Sequence, residues 1–270
     1  MTATTTTEML AQADRDRQAG RPAEAECVYR QAVYLMPGNS DAWIGLGTVC
    51  QQLGKLDDAI ASYRRSLELN PNQPRTLNSL GILFARTGQP ILAEEAFRRA
   101  VAKQPNYAKA LHNLGNVLAE QKKPGEAADF YRQAEQAGYR EASLYDGWAG
   151  VLADQGDFRA AERMLQQALK SWPEDAGLLK RLGIVLSHQL CWDGAAACLR
   201  QSVQRRPSDS ESQRRYGEVL VRMGRLDVAE THLREAMKLQ PHDADAANEL
   251  ANTLMQQAVL LEEEGILGIV

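Results

Sequence analysis

Six prolines set the frame of this chain. Pro37, Pro71 and Pro105 stand 34 residues apart, as do Pro173, Pro207 and Pro241, and the gap between the two sets is 68 residues, twice that interval. Proline lacks a backbone N–H and crowds the preceding turn, so it stops a helix. A fixed proline interval therefore cuts a helical chain into equal lengths. Counting back gives seven units without insertion or deletion: 6–39, 40–73, 74–107, 108–141, 142–175, 176–209 and 210–243, with a partial unit opening at Ala244. A repeat of this length constrains the fold more than composition does. One such unit cannot bury its apolar face alone, so the units must stack.

The columns of the repeat say what each unit is. Position 8 is Ala13, Gly47, Gly81, Gly115, Ala149, Gly183, Gly217 and Ala251, and position 20 is alanine in all seven units. Position 7 is Gln12 and then Leu46, Leu80, Leu114, Trp148, Leu182, Tyr216 and Leu250; position 24 is Tyr29, Tyr63, Phe97, Tyr131, Leu165, Leu199 and Leu233. Positions 4, 7, 8 and 11 lie on one helical face, and 20, 24 and 27 on another. Between them, Gly20, Gly54, Gly88, Gly156 and Gly224 recur at position 15, where a left-handed residue ends a helix. Each unit is expected to be an antiparallel pair, helix A then helix B. Small residues at 8 and 20 let the backbones approach, and the large residue at 24 fills the space beside them. Composition agrees: 39 Ala and 33 Leu stand against 7 Ile and 13 Val, a helical balance.

The segment Asp41-Ala42-Trp43-Ile44-Gly45-Leu46-Gly47, followed by Ala59, Tyr63 and Pro71, resembles the tetratricopeptide repeat family, a 34-residue helix–turn–helix repeat. The resemblance covers residues 6–263 and implies an all-α, right-handed superhelical solenoid whose A helices line a concave wall that binds peptides or partner helices. Residues 1–5 then form a flexible N-terminal tail, and 244–270 a capping helix with an apolar tail.

Three units depart from the pattern. The fourth has Tyr139 in place of proline, after Gly138, and Pro124-Gly125 in its turn; the fifth carries Tyr145, Trp148 and Gly150; the sixth has Leu190 in place of the turn glycine. These read as drift in a tolerant scaffold or as a local change of pitch near residues 138–150. The C-terminal segment is unusual in another way. Val259, Leu260, Leu261, Ile266, Leu267, Ile269 and Val270 leave much apolar surface for something to cover, so a homodimer through this segment is expected.

Chemistry is sparse. His112, His188, His232 and His242 fall in different units, and no Gly-rich phosphate loop occurs. His188, Cys191 and Cys198 are the nearest thing to a zinc set and lack a fourth ligand. The chain therefore reads as a non-enzyme with no cofactor and no metal. Mean hydropathy is −0.42 and no apolar run reaches the ~20 residues of a membrane span. A net charge of −4 argues against nucleic acid. Four scattered cysteines without a Cys-x-x-Cys suggest reduced thiols in the cytoplasm.

Function is then expected from the concave surface, as a protein–protein interaction scaffold. The alternatives are the docking module of a larger enzyme, such as an O-linked glycosyltransferase, or a nucleic-acid-binding helical repeat. Off the packing stripe lie Asn78, then Lys109, His112, Asn113 and Asn116, then Lys180 and Arg181, then Arg214, Arg215 and Arg222, and finally Asn248 and Asn252. Asparagines 78, 113 and 116 suit an extended peptide backbone, because an amide side chain both donates and accepts. Residues 176–222 hold eight basic groups against four acids, which points to an acidic ligand. The family's carboxylate clamp for chaperone tails is not completed: its positions are Ile44, Thr48, Ser79, Lys109 and Asn113. The glycosyltransferase pattern of asparagine at position 6 is met by Asn113 alone.

Overall fold

Helix A ends and helix B begins at the same positions in every repeat. The computed structural model describes the backbone of residues 3–267 and the side chains of residues 7–262. In it α1 (Ala3–Gln18) pairs with α2 (Pro22–Leu35), α3 (Ser40–Gln52) with α4 (Leu56–Leu69), α5 (Pro74–Arg86) with α6 (Pro90–Lys103), and α7 (Ala108–Glu120) with α8 (Pro124–Gln136). The pairs continue as α9 (Ala142–Asp154) with α10 (Phe158–Ser171), α11 (Ala176–His188) with α12 (Trp192–Arg205), and α13 (Ser210–Arg222) with α14 (Leu226–Leu239), followed by α15 (Ala244–Leu267). The described residues contain no strand and no helix long and apolar enough to cross a membrane. Helix α1 begins at Ala3, inside the stretch expected as a tail, because extending an existing helix adds one hydrogen bond per residue fixed. Helix α15 runs to Leu267.

One turn motif joins A to B throughout. The residue at position 15 is left-handed in all seven repeats: Gly20, Gly54, Gly88, Gly156 and Gly224, but also Lys122 (φ 60°) and Leu190 (φ 61°). After it, the N–H of position 16 donates to the carbonyl of position 11, at 2.8–3.0 Å, from Arg21→Asp16 to Arg225→Leu220. These hydrogen bonds satisfy carbonyls that the helix end leaves unpaired. They hold even where lysine or leucine must take the left-handed conformation. Pro124-Gly125, expected in the fourth turn, instead opens α8, where proline suits the first helical position.

Close contact within each pair follows from the columns. A Cβ added at Gly81 would lie 2.6 Å from the Phe97 ring, and one at Gly47 or Gly115 2.7 Å from Tyr63 or Tyr131. Between repeats, the A helix packs positions 3, 7 and 10 on the preceding B helix. Leu178, Leu182 and Val185 of α11 thus meet Ala161, Leu165 and Ala168 of α10. Tyr216 and Val219 of α13 likewise meet Ala195, Leu199 and Val203 of α12.

The chain falls into two compact halves, Met1–Tyr139 and Arg140–Val270, at the place where proline is missing. There α8 ends one residue early, Gly138 turns left-handed (φ 90°), and the Tyr139 N–H closes on the Ala134 carbonyl at 2.9 Å. A glycine turn thus does at this junction what proline does at the others.

Candidate functional site

The A helices of each half form one wall, and side chains from the B helices reach through it. Three tyrosines at position 24 end on the residue at position 9 of their own repeat. The Tyr29 hydroxyl donates to Asp14 Oδ1 at 2.7 Å, and that of Tyr131 donates to Asn116 Oδ1 at 2.8 Å. The Tyr63 hydroxyl lies 3.2 Å from Thr48 Oγ1. Where position 24 has no hydroxyl, position 9 is Ile82, Gly150, Ile184 or Glu218. A buried phenol needs a partner for its O–H, and position 9 supplies it.

The expected asparagine patch has internal partners of this kind. Asn116 is engaged by Tyr131. Asn78 is only 6% exposed, and its Oδ1 accepts from Asn113 Nδ2 at 3.0 Å. His112 is equally buried and stacks on Tyr139, centroids 4.5 Å apart. Asn78 and His112 are therefore not open surface, as helix geometry alone suggests: Asn113 of the next A helix caps the first and the Tyr139 ring covers the second. Lys109 is exposed and Asn113 half-buried, so these two remain on the wall.

The basic cluster of the C-terminal half is neutralised from within. Lys180 Nζ lies 2.6 Å from Glu211 and 3.3 Å from Asp209, and Arg181 Nε lies 2.8 Å from Asp146. Arg214, with a side chain 11% exposed, pairs with Glu218 and has Nε 3.3 Å from Asp243; Arg215 pairs with Glu218 at 3.1 Å. Burial alone would lower the Lys180 pKa, but Glu211 and Asp209 hold it above its usual value. Burial would likewise raise Glu211 and Asp209, yet the lysine holds Glu211 below its usual value, and the Ser212 hydroxyl, with the lysine, does the same for Asp209. Counting charges along 176–222 missed Asp146 and Asp243, which come from outside that segment. Arg222, Asn248 and Asn252 are exposed.

Two hollows open on the walls. In the N-terminal half, Leu10, Asp14 and Arg17 of α1 and Asp41, Ile44, Gly45 and Thr48 of α3 surround a space of about 300 Å³ floored by Tyr29. The Tyr29 ring lies over Gly45, where a Cβ would collide with it. The sequence signal for this hollow was the run Ala11, Gly45, Ser79 at position 6, three small side chains in succession where the fourth, sixth and seventh repeats carry Asn113, Arg181 and Arg215. In the C-terminal half, Val221, Arg222, Glu249, Asn252, Met255, Gln256, Val259 and Leu260 line a space of about 520 Å³.

Neither metal reading gains ligands. His188 stacks on Phe158, centroids 5.0 Å apart, and does not gather Cys191 and Cys198 into a cluster among the described residues. Glu26, Cys50 and Asp58 do converge, with ligand atoms within 4.8 Å. Lys55 and Arg30 already hold both carboxylates, at 2.7 and 2.6 Å.

Two family models described as tetratricopeptide repeat match the sequence, one over residues 40–73 and the other over 78–141, 148–210 and 217–264. A search of curated proteins finds no match. Among solved structures, the Cut9–Hcn1 hetero-tetramer of APC/C matches with a TM-score of 0.75 and 18% identity over 90% of this chain. The match takes in 48% of that chain, so this protein spans about half its length. A tetratricopeptide repeat protein from Parabacteroides merdae ATCC 43184 matches with a TM-score of 0.77 and 16% identity, over 93% of this chain and 100% of that one. YrrB, a TPR protein with an unusual peptide-binding site, matches with a TM-score of 0.52 and 19% identity, over 69% of this chain and 96% of that one. At these identities the likeness is one of fold.

Proposed function

Because the chain belongs to the tetratricopeptide repeat family, whose fold implies a protein-interaction scaffold, we propose that it holds a peptide or partner segment along the A-helix wall of its N-terminal half. The observation that carries this reading is the hollow between α1 and α3. Leu10 and Ile44 offer apolar contact there, the exposed Asp41 offers a negative charge, Asp14 and Arg17 offer a polar rim already paired with each other at 3.1 Å, and the space suits one or two ligand side chains. Asn113 and Lys109 extend the same wall and would meet the ligand backbone. The ligand is then a mixed apolar and polar segment. The acidic ligand expected for the C-terminal half loses support, since Lys180, Arg181, Arg214 and Arg215 are all ion-paired within the chain, the last two sharing Glu218.

The test is photo-crosslinking in the native cell extract. Benzoylphenylalanine placed at Asp41 or Lys109, both exposed, is expected to capture a discrete protein. The same group at Glu68 on a B helix is expected to capture none. Adducts from Glu68 alone would overturn the proposal.

A further inference from the structure

Every A helix but the last is closed by a B helix of its own repeat; among the described residues, α15 has none. Helix α15 packs Ala246 and Thr253 on α14, and Gln257 Nε2 donates to Asp227 and Glu230 at 3.0 and 3.1 Å. The side that would meet a B helix carries Ala251, Leu254 and Ala258, all exposed, with Leu261 69% exposed beyond them. The other end of the array differs. On α1 the open columns 3, 7 and 10 are Glu8, Gln12 and Arg15, polar and exposed. One end face suits water, and the other suits a helix.

A charge lattice says which helix. Glu26 and Arg30, Glu94 and Arg98, and Glu230 and Arg234 occupy positions 21 and 25 of the first, third and seventh repeats. In each, the arginine pairs with its glutamate at 2.8 Å. In the first two, the next B helix completes the set. Lys55 reaches Glu26 (2.7 Å) while Asp58 meets Arg30 (2.6 Å), and Lys123 reaches Glu94 (3.0 Å) while Glu126 meets Arg98 (2.7 Å). At the third, no B helix follows among the described residues, where Glu230 is the one ion-pair partner of Arg234. The completing helices share one spacing: lysine, an acid three residues on, alanine next, and tyrosine four after that (Lys55, Asp58, Ala59, Tyr63; Lys123, Glu126, Ala127, Tyr131).

We propose that α14 and α15 accept a helix from another protein with this spacing, docked antiparallel to α15 as an eighth B helix. Its alanine meets Ala251, its aromatic ring lies on Leu254, its acid binds Arg234 and its lysine binds Glu230. A second copy fits poorly. Beyond Lys238 the chain has no Lys or Arg, while Asp243, Asp245, Glu249, Glu262, Glu263 and Glu264 are acidic. Two facing α15 helices would therefore oppose acids with no cation between them.

The probe is a fluorescein-labelled peptide with the sequence of residues 55–70, titrated with the full chain by anisotropy. Saturable binding is expected, weakened more than 10-fold by Leu254→Glu, whose side chain is already 39% exposed and whose replacement leaves the helical circular dichroism unchanged. Arg234→Glu is expected to weaken binding several-fold, and an Asp58→Arg substitution in the peptide to restore it. Three results would each overturn the proposal: no binding at several hundred micromolar, binding indifferent to Leu254→Glu, or a dimer of the chain in sedimentation that Leu254→Glu dissolves. The last would make a second copy the occupant.

Discussion

Replacing Gly81 by alanine sets two physical effects against each other. Position 81 is inside α5, where alanine is favoured over glycine by about 1 kcal/mol because the unfolded chain has less backbone freedom to lose. Against this, the new Cβ would lie 2.6, 2.7 and 2.9 Å from Phe97 Cε1, Cδ1 and Cζ. These are ring atoms of a side chain 1% exposed, with no free space to enter. Relieving the overlap means pushing α5 from α6 by most of an ångström, and overpacking of this kind costs about 1–3 kcal/mol. The repeats that already carry alanine here, Ala13 and Ala149, have helix pairs that approach each other less closely along their length. The expected net effect is a loss of about 1 kcal/mol, within about 0–2, read as a fall in Tm of roughly 2–3 °C. Gly125→Ala is the internal control. It lies in the first turn of α8 with nothing within 4 Å of the added Cβ, so it should be neutral or stabilising. If Gly81→Ala melts at or above the parent temperature, the close approach at position 8 does not limit the fold.

Three further outcomes are expected. Lys122→Gly should raise stability by about 0.5–1 kcal/mol in a urea titration, because left-handed strain at φ 60° outweighs glycine's entropy; a lower midpoint would refute this. Reversing Arg214 and Arg215 to Glu should lower Tm through a loss of about 3 kcal/mol, since Glu218 and Asp243 would lose their buried counter-ion; an unchanged melt would return both arginines to ligand-binding duty. Glu211 and Asp209 have folded pKa values below their unfolded ones, so their contribution is present above the ordinary carboxylate range and lost as pH falls through the depressed values. The Tm difference between the parent and Lys180→Met should therefore be widest near neutral pH and close below about pH 3; a difference that ignores pH would rule out the ion pairs as its source.

The repeat was legible in the sequence because it rests on local chemistry. Proline, glycine and a 3.6-residue apolar period act within one helix or turn, so their spacing announced a helix pair in each repeat with a left-handed turn at position 15 between them. The small residue at position 8 and the large one at 24 announced their own contact. What the wall offers a ligand was not legible, because it depends on pairs about 30 residues apart. Asn78 and Asn113 bond to each other, Arg181 takes Asp146, and Lys180 takes Glu211, each across neighbouring A helices. A helical wheel treats each such side chain as facing water. Stacking brings the next helix within hydrogen-bond reach, and charges that look exposed within one repeat are neutralised by the following one. The hollow beneath Leu10 and Ile44 has the same origin: it exists because Tyr29 of one repeat lies across Gly45 of the next, a contact visible only once the repeats are stacked.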